Sequence, residues 1–280
     1  MRFRVLRTAV PPLLLAALLA CGAGEVERGD VVVRDSMGIQ IVESRRPMWA
    51  AGREWRVPAA PRQTVGVAEG DAEYHLFRVT GATRLADGRL VVANSGTHQV
   101  RVFDGEGRFE TAFGGEGEGP GEFRVLSGVW PFRGDSVLVW DGRLRRISIF
   151  TTAGEFGRSA RLERAGANPL MLGSLPDGSV ITFDERFVAP DAVEREQFGD
   201  FVRHDASGVF IDTLARYPTF TSVPVTLPDG STFVGGVTFG PRTVAAIAPA
   251  KLVVGTARDY ELRVHAPAGL LVRLIRWHGP

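Results

Sequence analysis

Three arginines, Arg78, Arg124 and Arg242, each stand just ahead of a short apolar run, two of them beside a phenylalanine. Planar guanidinium groups gathered at one opening would take a carboxylate or phosphate through paired hydrogen bonds; scattered over an Arg-rich surface they would not. Asn94, Asp141 and Asp184, with Thr256, recur at matching places along the chain. Oxygens so placed either ligate a divalent cation or cap turns by accepting backbone N–H groups, and recurrence in every unit suits capping. The five histidines include no H-E-x-x-H pair. His98 alone sits in a loop where a ligand would be met, while His204 and His265 take positions filled elsewhere by Phe103 and Phe150 and read as packing residues. The glycine-rich run 114–121 matches neither G-x-G-x-x-G nor G-x-x-x-x-G-K-[ST], and a strand pattern follows it, so it reads as a connector. There is no G-x-S-x-G elbow, and no nucleophile with a base partner can be named. The expected set is therefore ligand contacts from Arg78, His98, Arg124 and Arg242, no catalytic group and no cofactor, with a divalent metal as the rival.

The elements that must position these residues repeat. A ring side chain, three variable residues, a glycine and an apolar residue two places on recur around Gly107, Gly154, Gly208 and Gly269, at intervals of 47, 54 and 61 residues. Ahead of each phrase comes an apolar run opened by a tight turn. In the first unit the pattern predicts strands over 82–85, 90–93, 100–103 and 109–113, with Asp87-Gly88 as a two-residue hairpin turn. The other units follow the same plan, with turns at Gly134-Asp135 and Asp177-Gly178. Four antiparallel strands in a unit of about 40–45 residues make one blade of a β-propeller. The fold class is all-β, with blades near 81–113, 128–161, 171–217 and 244–277. An N-terminal hairpin is expected at 31–33 and 39–42, and short strands at Trp55–Val57 and Thr64–Val67. The third unit carries a charged insertion to about Gly199 that lacks a strand pattern, and 192–198 could form a turn or two of helix. A Leu-Pro-Asp-Gly turn at 227–230 reads either as a degenerate extra unit or as a hairpin insertion.

The N-terminus carries Arg2, Arg4 and Arg7, an apolar stretch from Leu13 to Ala20, then Cys21. That is an export signal, too short for the roughly 20 residues of a spanning helix. Leu18-Leu19-Ala20-Cys21 resembles a bacterial lipobox, which implies cleavage after residue 20, acylation of Cys21, a tether over 21–29 and a propeller domain over 30–280. The partner so implied is a membrane, to which the chain would be anchored by lipid, with Gly22 resembling an outer-membrane address. Cys21 is the only cysteine, so the exported body holds no disulfide. The formal charge of +1 includes the three signal arginines, and no basic stripe stands out, which argues against a nucleic-acid partner.

The run Gly114 to Phe123 resembles the connector of NHL-repeat proteins. Residues 30–277, through Asp35-Ser36-Met37-Gly38-Ile39 and Arg78-Val79-Thr80-Gly81-Ala82, are similar to bacterial lipoproteins of the six-bladed β-propeller type. The resemblance implies a module that binds an unknown small molecule or protein through loops around the ring mouth. Two alternatives stay open: a metal-dependent hydrolase or lyase of gluconolactonase-like type, and a shortened family member without independent function. Four blade phrases are legible where six are expected.

Overall fold

The computed structural model describes residues 26–28, 30–46, 55–61, 63–186 and 195–277, so the lipobox, Cys21 and His278 lie outside the described residues. Three short N-terminal strands come first: β1 (Val26–Arg28), β2 (Val31–Ser36) and β3 (Ile39–Ser44). The first blade is β4 (Val79–Arg84), β5 (Leu90–Asn94), β6 (Gln99–Phe103) and β7 (Phe109–Gly114). The second is β8 (Leu126–Phe132), β9 (Ser136–Asp141), β10 (Arg146–Thr151) and β11 (Phe156–Arg161). The third has five strands: β12 (Leu170–Ser174), β13 (Val180–Arg186), β14 (Arg195–His204), β15 (Phe210–Thr226) and β16 (Thr232–Gly236). The fourth is β17 (Val244–Ala248), β18 (Lys251–Gly255), β19 (Glu261–His265) and β20 (Leu271–Trp277). Each blade is an antiparallel meander, and β3 joins the fourth by pairing in parallel with β20, Ile41 opposite Leu274.

Each repeated glycine closes the turn between a blade's third and fourth strands. Gly107, Gly154, Gly208 and Gly269 have φ of 88°, 93°, 84° and 82°. Their N–H groups bond three residues back, to Asp104, Thr151, Asp205 and Ala266, and each turn is followed by a one-residue register shift. That is a type I turn with a glycine bulge. Gly208 has a second reason to lack a side chain: a Cβ there would lie 2.2 Å from the carbonyl oxygen of Arg161, on the outer strand of the preceding blade.

The core lies between blades. Strand β9 is apolar on both faces because it is covered on both. Its Val137 and Val139 pack with Val91, Val100, Val102 and Phe113 of the first blade. Its Leu138 and Trp140 pack with Met171 and Val180 of the third. Phe183 and Phe201 of the third blade meet Leu252 and Val254 of the fourth. Burying one such side chain contributes about 1.5–3 kcal/mol, so each blade depends on its neighbour. Inner strands neighbour in sequence, β4 with β8, β8 with β12 and β12 with β17. No interface of that kind returns from β17 to β4 among the described residues, and the blades form an open arc.

At the free side of the first blade, a segment without strand structure takes the place of a preceding blade. The Arg101 guanidinium reaches through it, Nη1 donating to the carbonyls of Ala72, Glu73 and His75 at 2.9, 2.7 and 2.9 Å. Tyr74 packs on Phe103, and Gln63 and Val65 lie against Gly107. The strands expected at Trp55–Val57 and Thr64–Val67 are therefore absent; the Gln63 side chain bonds Asp104 and Arg84, and the Val67 N–H donates to the Tyr74 carbonyl without forming a ladder.

Three other expectations are corrected. The Asp87-Gly88 and Asp177-Gly178 turns are three-residue loops of the same bulged type, with Leu85 N–H on Arg89 and Leu175 N–H on Ser179. Residues 195–198, read as part of a possible helical turn, belong to β14, and the insertion extends the β13–β14 hairpin: Arg186 lies opposite Phe198, and Gln197 is buried with its amide on Ser222. The turn at 227–230 joins β15 to β16, a hairpin added to the third blade, which thus runs to Gly236.

Candidate functional site

Asn94, Asp141 and Asp184 occupy equivalent places, the point where the second strand of a blade meets the connector entering that blade. Asn94 Oδ1 accepts the Phe77 N–H at 2.6 Å. Asp141 accepts from Arg124 at 2.7 Å, Leu144 at 2.9 Å and Val125 at 3.4 Å. Asp184 Oδ2 accepts from Gly166 at 2.8 Å. Backbone groups thus use these oxygens, as the capping alternative requires. No group of three or more His, Cys, Asp or Glu among the described residues is placed to hold a metal ion.

The pinned connectors build a cavity of about 470 Å³ at the mouth of the arc, across the first three blades. Its walls include the indoles of Trp130 and Trp140, with Val125, Leu170 and Met171; its polar groups include Ser127, Arg143 and Asn168. Trp130 folds over Gly128 and against Gly173 of the third blade, whose added Cβ would stand 3.1 Å from the ring. The Ser127 hydroxyl accepts from the Gly142 N–H at 3.2 Å and donates to the Val125 carbonyl at 3.1 Å, fixing the loop that carries Arg143. Arg143 is exposed and makes no ion pair among the described residues. Each inner strand also opens on an exposed apolar residue: Val79, Val125 just ahead of β8, Leu170 and Val244.

The arginines singled out in the sequence are all exposed at this end, each differently engaged. Arg78 lies 5.3 Å over Phe77 and Arg242 lies 5.7 Å over Phe220. Arg124 is held by Glu118 at 3.1 Å and Glu116 at 3.9 Å, which occupies its charge within the glycine-rich connector. His98 is half-buried in the β5–β6 loop at φ 55°, with its N–H on the Ser95 carbonyl. His204 and His265 are buried packing residues. Burial takes His204 below the usual imidazole range, and its Nε2 donates to the Glu163 carbonyl at 2.7 Å. Trp130, Trp140, Arg143 and Asn168 were missed in the sequence, where a tryptophan on an inner strand looks like any core residue.

A family model described as a 6-bladed beta-propeller (DUF5128) matches residues 75–163, the first two blades and their lead-in. Over 76 residues the chain is 34% identical to RING finger protein nhl-1 of Caenorhabditis elegans, a stretch that is 27% of this chain and 8% of that one. A Bacteroides fragilis protein provisionally described as exported is similar in structure, at 18% identity and a TM-score of 0.49, over 77% of this chain and 55% of that one. A duf4221 family member from Bacteroides vulgatus is similar at 14% identity and a TM-score of 0.43, over 72% and 58%. This chain therefore spans little more than half of either solved structure. Together with the four blades, the matched segment identifies the fold as a β-propeller, similar over residues 75–163 to the six-bladed type.

Proposed function

We propose that this protein is an exported binding module, anchored to the cell envelope by lipid on Cys21, that takes a flat apolar ligand bearing an anionic group at the mouth of the arc. The observation that carries the reading is the cavity walled by Trp130 and Trp140 with the guanidinium of Arg143, which has no ion-pair partner among the described residues, at its rim. Apolar walls with a few convergent polar groups are how small-molecule sites are built. The exposed residues Val125 and Leu170 carry the apolar lining out to the rim of the opening.

Indole fluorescence tests the ligand reading, with benzoate and indole-3-acetate as probes and their amides as controls. Saturable quenching by the acids, reduced to the level of the amides in Arg143→Ala, is the expected result; no saturable change with any probe would refute it. Labelling with a fatty-acid analogue tests the anchor separately, with incorporation expected in the natural chain and lost in Cys21→Ala.

A further inference from the structure

The fourth blade packs only one of its two faces against another blade. Ala245, Ile247, Leu252 and Val254 join the core shared with the third blade. The residues that alternate with them point the other way. Register places Ala246 beside Val253, Val253 beside Val264, Leu262 beside Ile275, and Ile275 beside Val42 of β3. An apolar row therefore crosses the sheet from β17 to β3, and no further blade covers it among the described residues. Val244, Ala246 and Ala248, on the same face of β17, are exposed.

The equivalent face is filled in the neighbouring blades. Trp140 and Phe183, one residue before the caps Asp141 and Asp184, project from the second and third blades onto the next. At the matching place, one residue before Thr256, stands Gly255. A cavity of about 450 Å³ opens there, lined by Val244, Gly255 and Leu262 with Tyr260 and Trp277 beside them. Tyr260 is 59% and Trp277 40% exposed, their rings 5.8 Å apart. A contiguous apolar patch of this kind marks a contact surface.

The opposite end of the arc offers a complementary surface. The segment that covers the first blade, in the place of a preceding blade, exposes Glu69 and Asp71, neither in an ion pair among the described residues. The open face of the fourth blade carries Lys251, opposite Ala248, and Arg273, opposite Val264, which make no ion pair among those residues either. Phe77 is 60% exposed where the covering segment enters the first blade, at the mouth end, and the Gly255 cavity opens at that same end.

We propose that copies of this chain associate head to tail, the open face of the fourth blade in one copy packing on the covered first blade of the next. Such a contact joins the face a blade turns to its successor with the face a blade turns to its predecessor, the polarity of every contact within the arc. Two fourth blades face to face would instead bring Lys251 and Arg273 of both copies onto one surface, a like-charge arrangement. Head-to-tail contacts close into a ring or run on as a chain.

Sedimentation equilibrium of the purified protein tests this. The mean mass should rise above that of one chain between about 1 and about 100 μM. Lys251→Glu with Arg273→Glu should weaken association at least about tenfold, and so should Glu69→Lys with Asp71→Lys. Mixing the two double variants should restore it, because each then meets opposite charge at both ends. Phe77→Ser should weaken it as well, with the strand circular dichroism of the natural chain retained. A single-chain mass up to about 100 μM would overturn the proposal. So would unweakened association by the Glu69→Lys, Asp71→Lys variant, which assigns the contact to two fourth blades, or a mixture of the double variants that stays apart.

Discussion

The Tyr217 hydroxyl and His265 Nε2 stand 2.7 Å apart, a hydrogen bond between the third and fourth blades. His265 Nδ1 lies 2.8 Å from the Gly269 carbonyl, which can only accept, so Nδ1 carries the proton and Nε2 receives one from tyrosine. Burial pushes the Tyr217 hydroxyl above its usual range, which keeps it a donor at neutral pH. Replacing Tyr217 by Phe leaves Nε2 unsatisfied in a buried place. The expected loss is about 1–3 kcal/mol in denaturant unfolding. His265→Phe, which installs the ring used at Phe103 and Phe150, should also free the tyrosine hydroxyl and cost at least as much.

Stability should depend on pH through His204. Burial depresses its folded pKa, so below the unfolded value, about 6.5, the unfolded chain binds the proton more readily than the folded one. The stabilisation is whole above that value, falls as pH drops through it, and levels off below the folded pKa. Unfolding midpoints at about pH 7.5 and about pH 5.5 should differ less in His204→Phe than in the natural chain. Equal differences in both would assign the titration elsewhere.

The capping reading of Asp141 predicts a structural defect. Asp141→Ala strips the acceptor from the N–H groups of Arg124, Val125 and Leu144. A loss of about 2–4 kcal/mol is expected, with the metal content of the purified protein unchanged. Loss of a bound calcium or zinc ion on this substitution would restore the metal-dependent alternative.

Two glycine substitutions separate conformation from packing. Gly38, between β2 and β3, has φ 82° and nothing within 4 Å of an added Cβ. Gly208 has φ 84° and a carbonyl at 2.2 Å. Gly38→Ala should cost about 1–2 kcal/mol from the left-handed backbone alone. Gly208→Ala should cost that and more, because the third blade must back away from the second. Similar midpoints for the two variants would deny the close packing of the outer hairpins.

Much of this architecture was legible because its turns are local. A glycine in a bulged turn is demanded by backbone geometry within a few residues, and the four phrases marked all four outer hairpins. Caps such as Asp141 were legible for the same reason. The cover over the first blade was not: Arg101 sits in an ordinary strand pattern, and its three carbonyl partners lie 26 to 29 residues away. The extended β13–β14 hairpin was hidden by charged residues, since Glu185, Arg186, Arg195 and Glu196 give no alternation to read. The mouth cavity was hidden differently. Its tryptophans come from strands that already needed large apolar residues, and only their assembly across three blades makes a site.

The parallel pairing of β3 with β20 also sets an order of events during synthesis. Residues 40–44 find their partners only at 273–277, so the earliest strands to emerge wait for nearly the last. Each blade can collapse onto its predecessor as it appears, from local hairpins, whereas this clasp closes over the longest loop in the molecule. Until then the edge of β3 that β20 will cover is bare, and a nascent chain stalled before β20 would present it to any neighbouring strand.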